Sequence, residues 1–187
     1  MPSLDQLWIP ILLSAVLVFV ASSLIHMVFK WHNSEYHGFS NEDEVRAVIR
    51  KGNAAPGLFI VPYCSDPKDM AKPEMVKKFE EGPIAFVNVV QGKTPSMAKP
   101  LVLWFILTLV IAIVAGYLAA HTVPVGAGFL AVARVVSLVT FLAYAGGSVS
   151  SAIWMGKPTS AALKECLDAF IYGLVTAGAF GCLWPKG

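Results

Sequence analysis

The chain has 187 residues, of which 56% are hydrophobic and only 14% charged, with a formal net charge of +2. A water-soluble domain carries about 25% charged residues, so an ordinary soluble enzyme is excluded. The net charge itself says little about partners, because position matters more than the total.

Four apolar runs, at roughly 8–29, 101–120, 128–153 and 165–184, account for the imbalance. Each has about the 20 residues needed to cross about 30 Å of hydrocarbon. The expected fold is an all-α membrane protein with four transmembrane helices and a small α/β cytoplasmic cap between helices 1 and 2. Its expected parts are 1–30 (helix 1), 31–99 (the cap) and 100–187 (a three-helix antiparallel bundle).

The first run lacks the positive leading segment of a signal peptide, since Asp5 is the only charged side chain before Lys30. Its apolar stretch is also longer than a leader's, and it reads as a membrane helix. Ser14, Ser22, Ser23 and His26 are its polar members.

Between runs one and two, Ser40-Asn41-Glu42-Asp43 reads as a helix start capped by Ser40, with the helix continuing to about Lys51 and stopped by Gly52. Leu58–Tyr63 reads as a short strand. Pro73 opens a second helix that reaches Glu81 before Gly82. Ile84–Val90 is a second strand, and 92–100 reads as a linker. Ten basic residues between Lys30 and Lys99 meet nine acidic ones, a balance that disfavours nucleic acid. His32 and His37 are five apart with Glu35 between them, which is poor spacing for ligands on one helix face. Cys64, Asp66 and Asp69 add ligands only if the fold gathers them. Cys166 and Cys182 sit on one helix, about 24 Å apart at 1.5 Å per residue, too far for a disulfide.

Runs two to four are joined by short turns, which makes them an up-down-up set. They carry stripes of small residues at helical spacing: Ala112, Gly116 and Ala120; Ala143, Gly147 and Ser151; Ala169, Gly173, Ala177 and Gly181. Such stripes let helix backbones approach closely in lipid. Asp168, Tyr172 and Thr176 form a polar stripe beside the last of these, and it is expected to face protein or water. Arg134 lies about two turns into run three. It reads either as an anion or headgroup contact on a polar path, or as a structural arginine reaching outward. Asp168 is expected about one turn into run four, at a depth that suits His26 better than Arg134. A His26–Asp168 pair is then either a proton relay or a satisfied polar contact.

Lys and Arg cluster in the loops between runs one and two and between runs three and four. The positive-inside rule puts those loops in the cytoplasm and both termini outside. Trp8, Trp31, Trp104, Trp154 and Trp184 all fall near the expected interfaces. No phosphate loop, HExxH, GxSxG or haem-attachment motif is present, and no metal or cofactor is implied.

The segment GKPTSAALKECLDAFIYGLVTAGAFGCLWP, with EDEVRAVIR and EEGPIAFV, resembles an uncharacterised family of small bacterial multi-pass membrane proteins. The resemblance covers most of the chain, implies a bacterial cytoplasmic membrane location and carries no known activity. The sequence therefore points first to a non-enzymatic structural or accessory subunit that packs against the lipid bilayer, other membrane proteins or itself as a homo-oligomer. A small transporter or channel using His26, Arg134, Asp168 and Tyr172 is the second expectation. A lipid-modifying enzyme using His32, His37 or Asp168 is the third.

Overall fold

The computed structural model describes residues 1–92 and 96–186. Lys93, counted above among the loop's basic residues, lies outside the described residues. The chain forms two units, Met1–Tyr36 with Ser96–Gly187, and His37–Pro95.

The elements are α1 (Trp8–Ser23), α2 (Glu42–Lys51), β1 (Gly57–Val61), α3 (Pro73–Glu81), β2 (Ala85–Val89), α4 (Ala98–Thr122), α5 (Phe129–Trp154) and α6 (Thr159–Cys182). A 3-10 turn precedes α1 and a π turn extends it, so Leu4–Phe29 is one continuous helical stretch. That stretch, α4, α5 and α6 are each long and apolar enough to cross a membrane. Pro100 sits in the first turn of α4, where a backbone N–H has no partner to lose.

In the first unit, α1 packs on α4 and α6, and α5 packs on α4 and α6, giving the cyclic order α1–α4–α5–α6. The interior is mostly small: Ala15, Ala112, Ala115, Ala119, Ala169 and Ala177 are buried, with Ser14, Thr108, Thr140 and Thr176 among them. Leu, Ile and Val dominate the outside, as at Leu12, Leu17, Val110, Ile113, Leu138 and Leu174. This arrangement suits helices whose outer solvent is apolar and whose mutual attraction is close packing. At Gly173 a Cβ would stand 3.0 Å from the backbone oxygen of Ser137, so α5 lies directly on α6 there. At Gly116 a Cβ would meet Ile11 and Phe180 at 3.2 Å, which lets α4 seat both neighbours. Phe180 is the largest of the fully buried side chains.

Two helix starts differ from the sequence expectation. The fourth apolar helix begins at Thr159 rather than near 165, because its first turns are amphipathic and score poorly as an apolar run. Asp168 is therefore nine residues past the helix start instead of one turn in. The second begins at Ala98, which takes Ala98–Pro100 out of the expected linker.

The second unit is the expected order of helix, strand, helix and strand. The strands pair antiparallel, with Gly57 opposite Val89 and Val61 opposite Ala85. α2 starts one residue later than expected. Asn41, not Ser40, holds the cap position, and its side-chain amide donates to Glu44 at 3.0 Å. The unit also begins at His37 rather than at residue 31, because Trp31–Glu35 folds back on α6.

Candidate functional site: a buried histidine–carboxylate centre

The centre owes its shape to a local break in helix geometry. In an unbroken α-helix, residues 26 and 32 would lie about 9 Å apart along the axis. Here Leu24–Phe29 widens into a π turn, and Lys30 adopts a left-handed conformation (φ 54°). The Lys30 N–H closes the turn on Ile25 O at 3.0 Å. The chain reverses into a 3-10 turn over Trp31–Glu35. The reversal lays the His32 ring on the His26 ring, with centroids 4.6 Å apart and planes at 28°. π turns recur at functional sites because they rephase side chains in this way.

α6 supplies the other half. Lys164, Asp168, Tyr172 and Thr176 are four apart and share one face. The last three are buried, with exposures of 4%, 3% and 2%. Lys164 Nζ donates to Trp31 O and Ser34 Oγ, each at 2.8 Å, and stands 3.3 Å from Glu35 Oε1. This clamps the turn onto the helix. One Asp168 oxygen, Oδ2, lies 2.7 Å from His32 Nε2 and 3.8 Å from His26 Nε2. Glu35 Oε1 accepts from His32 Nδ1 at 3.0 Å. The donor atoms of His26, His32 and Asp168 all lie within 4.8 Å of one another.

His32 has a carboxylate oxygen on each ring nitrogen. A neutral imidazole has one N–H, so it satisfies one of the two carboxylates and turns a lone pair toward the other. In the tautomer that donates to Glu35, the facing Nε2 and Oδ2 need a cation between them, whether a proton or something larger.

A cavity of about 310 Å³ adjoins the centre. All four long helices line it, through His26, Trp104, Leu107, Ala143, Tyr144, Glu165, Asp168 and Tyr172. Its aromatic wall is a chain of rings, Trp104 to Tyr144 at 5.7 Å and Tyr144 to Tyr172 at 5.0 Å. Trp104 is fixed by donating to Ser22 Oγ at 2.8 Å. Glu165 is paired with Lys157. Asp168 Oδ1, the Tyr172 hydroxyl and the Trp31 indole N–H are buried and make no hydrogen bond among the described residues. A buried polar atom without a hydrogen bond costs about 1–3 kcal/mol. Asp168 and Tyr172 both line the cavity, which makes it a candidate place for a polar guest. A larger groove of about 730 Å³, lined by Arg46 and Arg50, belongs to the cap and gathers no buried polar side chain.

The structure thus brings together His26, Asp168 and Tyr172 of the residues singled out from sequence. It seats His32, read as a loop residue, closer to Asp168 than His26 is. Arg134 is elsewhere: it is exposed on α5, in an apolar groove with Ser137, Leu138, Phe141, Phe170, Gly173 and Leu174. Among the described residues it makes no ion pair. His37 belongs to the cap unit. Cys64 donates to Asp66 O at 3.0 Å, Asp66 caps Lys68 N at 2.9 Å, and Asp69 pairs with Lys72 at 2.7 Å, so these three serve local turns.

Of the small residues, Ala112, Gly116, Ala169, Gly173 and Ala177 are buried within the bundle, and Gly181 faces the Phe129 ring. Ala143 and Gly147 are exposed, and a Cβ at Gly147 would meet nothing. Trp8 and Trp154 face outward, whereas Trp184 is buried and donates to Pro124 O at 2.9 Å. Sequence reasoning missed the role of His32, Glu35 and Lys164. The available signal was Lys164 at four residues before Asp168, extending the polar stripe toward a helix end. No family model matches the sequence, and no curated protein or solved structure is significantly similar to it.

Proposed function

We propose that this is a multi-pass membrane protein that admits a small cationic solute to the cavity beside Asp168, as a small transporter or channel does. The observation that carries the reading is that Asp168 and Tyr172, each holding a buried polar atom without a hydrogen bond among the described residues, line a cavity to which all four helices contribute. Acidic groups in a span face the bundle interior or a solute path. The nearest fixed cations, Lys164 and Lys157, are occupied by Glu35 and Glu165, so the cavity presents acceptors to a guest.

The membrane is the bacterial cytoplasmic membrane, with both termini outside. This is supported by Lys30, Lys99, Lys157 and Lys164, which flank the same ends of the four helices. The centre then lies toward the cytoplasmic face. The experiment is cation uptake into liposomes containing the purified chain, with dyes for protons and for mono- and divalent metal ions inside. Uptake above empty liposomes that is abolished in Asp168→Asn is expected. Equal flux in the two proteins and in empty liposomes overturns the reading.

A second reading, an accessory subunit that packs on other membrane proteins or on itself, is favoured by one observation. Ala143 and Gly147 are exposed on α5, and a Cβ at Gly147 would meet nothing; small residues of this kind seat a second helix in lipid.

A further inference from the structure

Resting on the reading of the cavity as a cation site, we propose that His26, His32 and Asp168 bind a divalent first-row transition-metal ion, with its open coordination positions toward the cavity.

Three observations carry this. The first is convergence. Two imidazole nitrogens and a carboxylate oxygen from distant parts of the chain lie within 4.8 Å of one another. A shared proton needs only two of these atoms, and the third is what a metal uses. The second is orientation. Glu35 accepts from His32 Nδ1 at 3.0 Å, which aims the Nε2 lone pair at Asp168. A carboxylate behind a ligating histidine is the usual support of such ligands, because it fixes the tautomer and raises the ring's basicity. Lys164, 3.3 Å from that same Glu35 oxygen, holds the support in place. The third is the free acceptor. Asp168 Oδ1 is buried and makes no hydrogen bond among the described residues, and Asp168 is one of the residues lining the cavity from which an ion would enter.

Bonds of about 2.0–2.2 Å place neighbouring ligand atoms about 3.3 Å apart in a tetrahedral site. The observed separations from Asp168 Oδ2 are 2.7 Å to His32 and 3.8 Å to His26. They bracket that figure, and the two histidine nitrogens, within 4.8 Å of each other, must draw together around an ion. Two nitrogens select against calcium and magnesium, which take oxygen ligands. Imidazole with carboxylate and no thiolate suits zinc, iron(II), cobalt or nickel. Lys164 balances Glu35, leaving the single negative charge of Asp168 to meet the ion.

The test uses the full chain, purified in mild detergent with any affinity tag removed, stripped by chelator and dialysed against Zn²⁺. Bound metal is measured by mass spectrometry of the elements, and Co²⁺ replaces Zn²⁺ to report coordination through its visible spectrum. About one ion per chain is expected, with a spectrum of mixed nitrogen and oxygen ligation. His32→Ala and Asp168→Asn are expected to abolish binding. Glu35→Gln is expected to weaken it about 10- to 100-fold, and His37→Ala to leave it unchanged. Because His32 and Asp168 are buried, His26→Gln is the variant that keeps the test sound if those two fail to fold. Its half-exposed ring can be replaced without opening the core, and at least a tenfold loss of affinity is expected. Folded wild-type protein that binds no Zn²⁺ or Co²⁺, or binding that survives His26→Gln undiminished, overturns the proposal. Metal bound without flux in liposomes sinks the transport reading and leaves this site standing. Flux of another cation with no metal bound does the reverse.

Discussion

His32 Nε2 and Asp168 Oδ2 stand 2.7 Å apart although 136 residues separate them in the chain. The contact joins the end of the first long helix to the face of the last. It is buried, and Glu35 and Lys164 extend it into a four-residue chain of alternating charge when His32 carries a second proton. The centre therefore fastens the helix ring at one end while leaving one carboxylate oxygen without a hydrogen bond among the described residues.

Removing one member of this chain should cost more than removing its neighbour on the rim. In Asp168→Ala, His32 stays buried without its Asp168 partner, and losing one partner of a buried pair costs about 3–5 kcal/mol. His26→Ala exposes no buried charge, because His26 is half exposed and 3.8 Å away. The expected outcome is a large fall in the unfolding temperature in detergent for Asp168→Ala and a small one for His26→Ala. Equal shifts would show that the two residues do not differ as the geometry says.

Lys164 should control the Trp31–Glu35 turn specifically. Its ammonium makes two hydrogen bonds to that turn, to Trp31 O and Ser34 Oγ, each worth about 1.5–3 kcal/mol for a charged donor. Lys164→Met keeps the stem and removes both bonds. Hydrogen exchange should then speed up at 31–36 and stay unchanged in α4 and α5. Uniform acceleration would make Lys164 a general stabiliser instead.

How much of this was readable beforehand follows from where each signal is stored. α5 begins at Phe129 and ends at Trp154 as expected, because Gly128 and the Trp154–Met155 junction bound an apolar run of the right length. The α6 stripe was readable because i, i+4 spacing is a property of any helix. His26 was read as a partner of Asp168 and stands 3.8 Å from it, but the nearer partner, His32, was not. It depends on a π turn and on Lys30 in a left-handed conformation, and neither has a composition signal. The start of α6 at Thr159 was hidden for a related reason. Its first turns carry Lys164 and Glu165, whose partners Glu35 and Lys157 lie elsewhere in the chain, and hydropathy along one helix does not see them.

The glycines offer a matched pair of substitutions. Gly173→Ala places a Cβ 3.0 Å from the Ser137 backbone oxygen, so α5 and α6 must part. Overpacking of this kind costs about 1–3 kcal/mol. Gly146→Ala meets nothing within 4 Å and sits inside a helix, where alanine is favoured by about 1 kcal/mol over glycine. The first should lower the unfolding temperature and the second raise it slightly, measured side by side in one detergent.

The exposed face of α5 separates the two functional readings. If Ala143 and Gly147 seat a second helix, Gly147→Leu fills the contact and breaks the complex, while the isolated chain keeps its stability because the new side chain meets no internal atom. Mass measurement of native-membrane extracts in mild detergent reads this directly. A wild-type complex that falls to the monomer mass in Gly147→Leu supports the subunit reading. A monomer in both, with cation uptake intact in both, assigns that face to lipid and leaves the Asp168 cavity as the working part of the molecule.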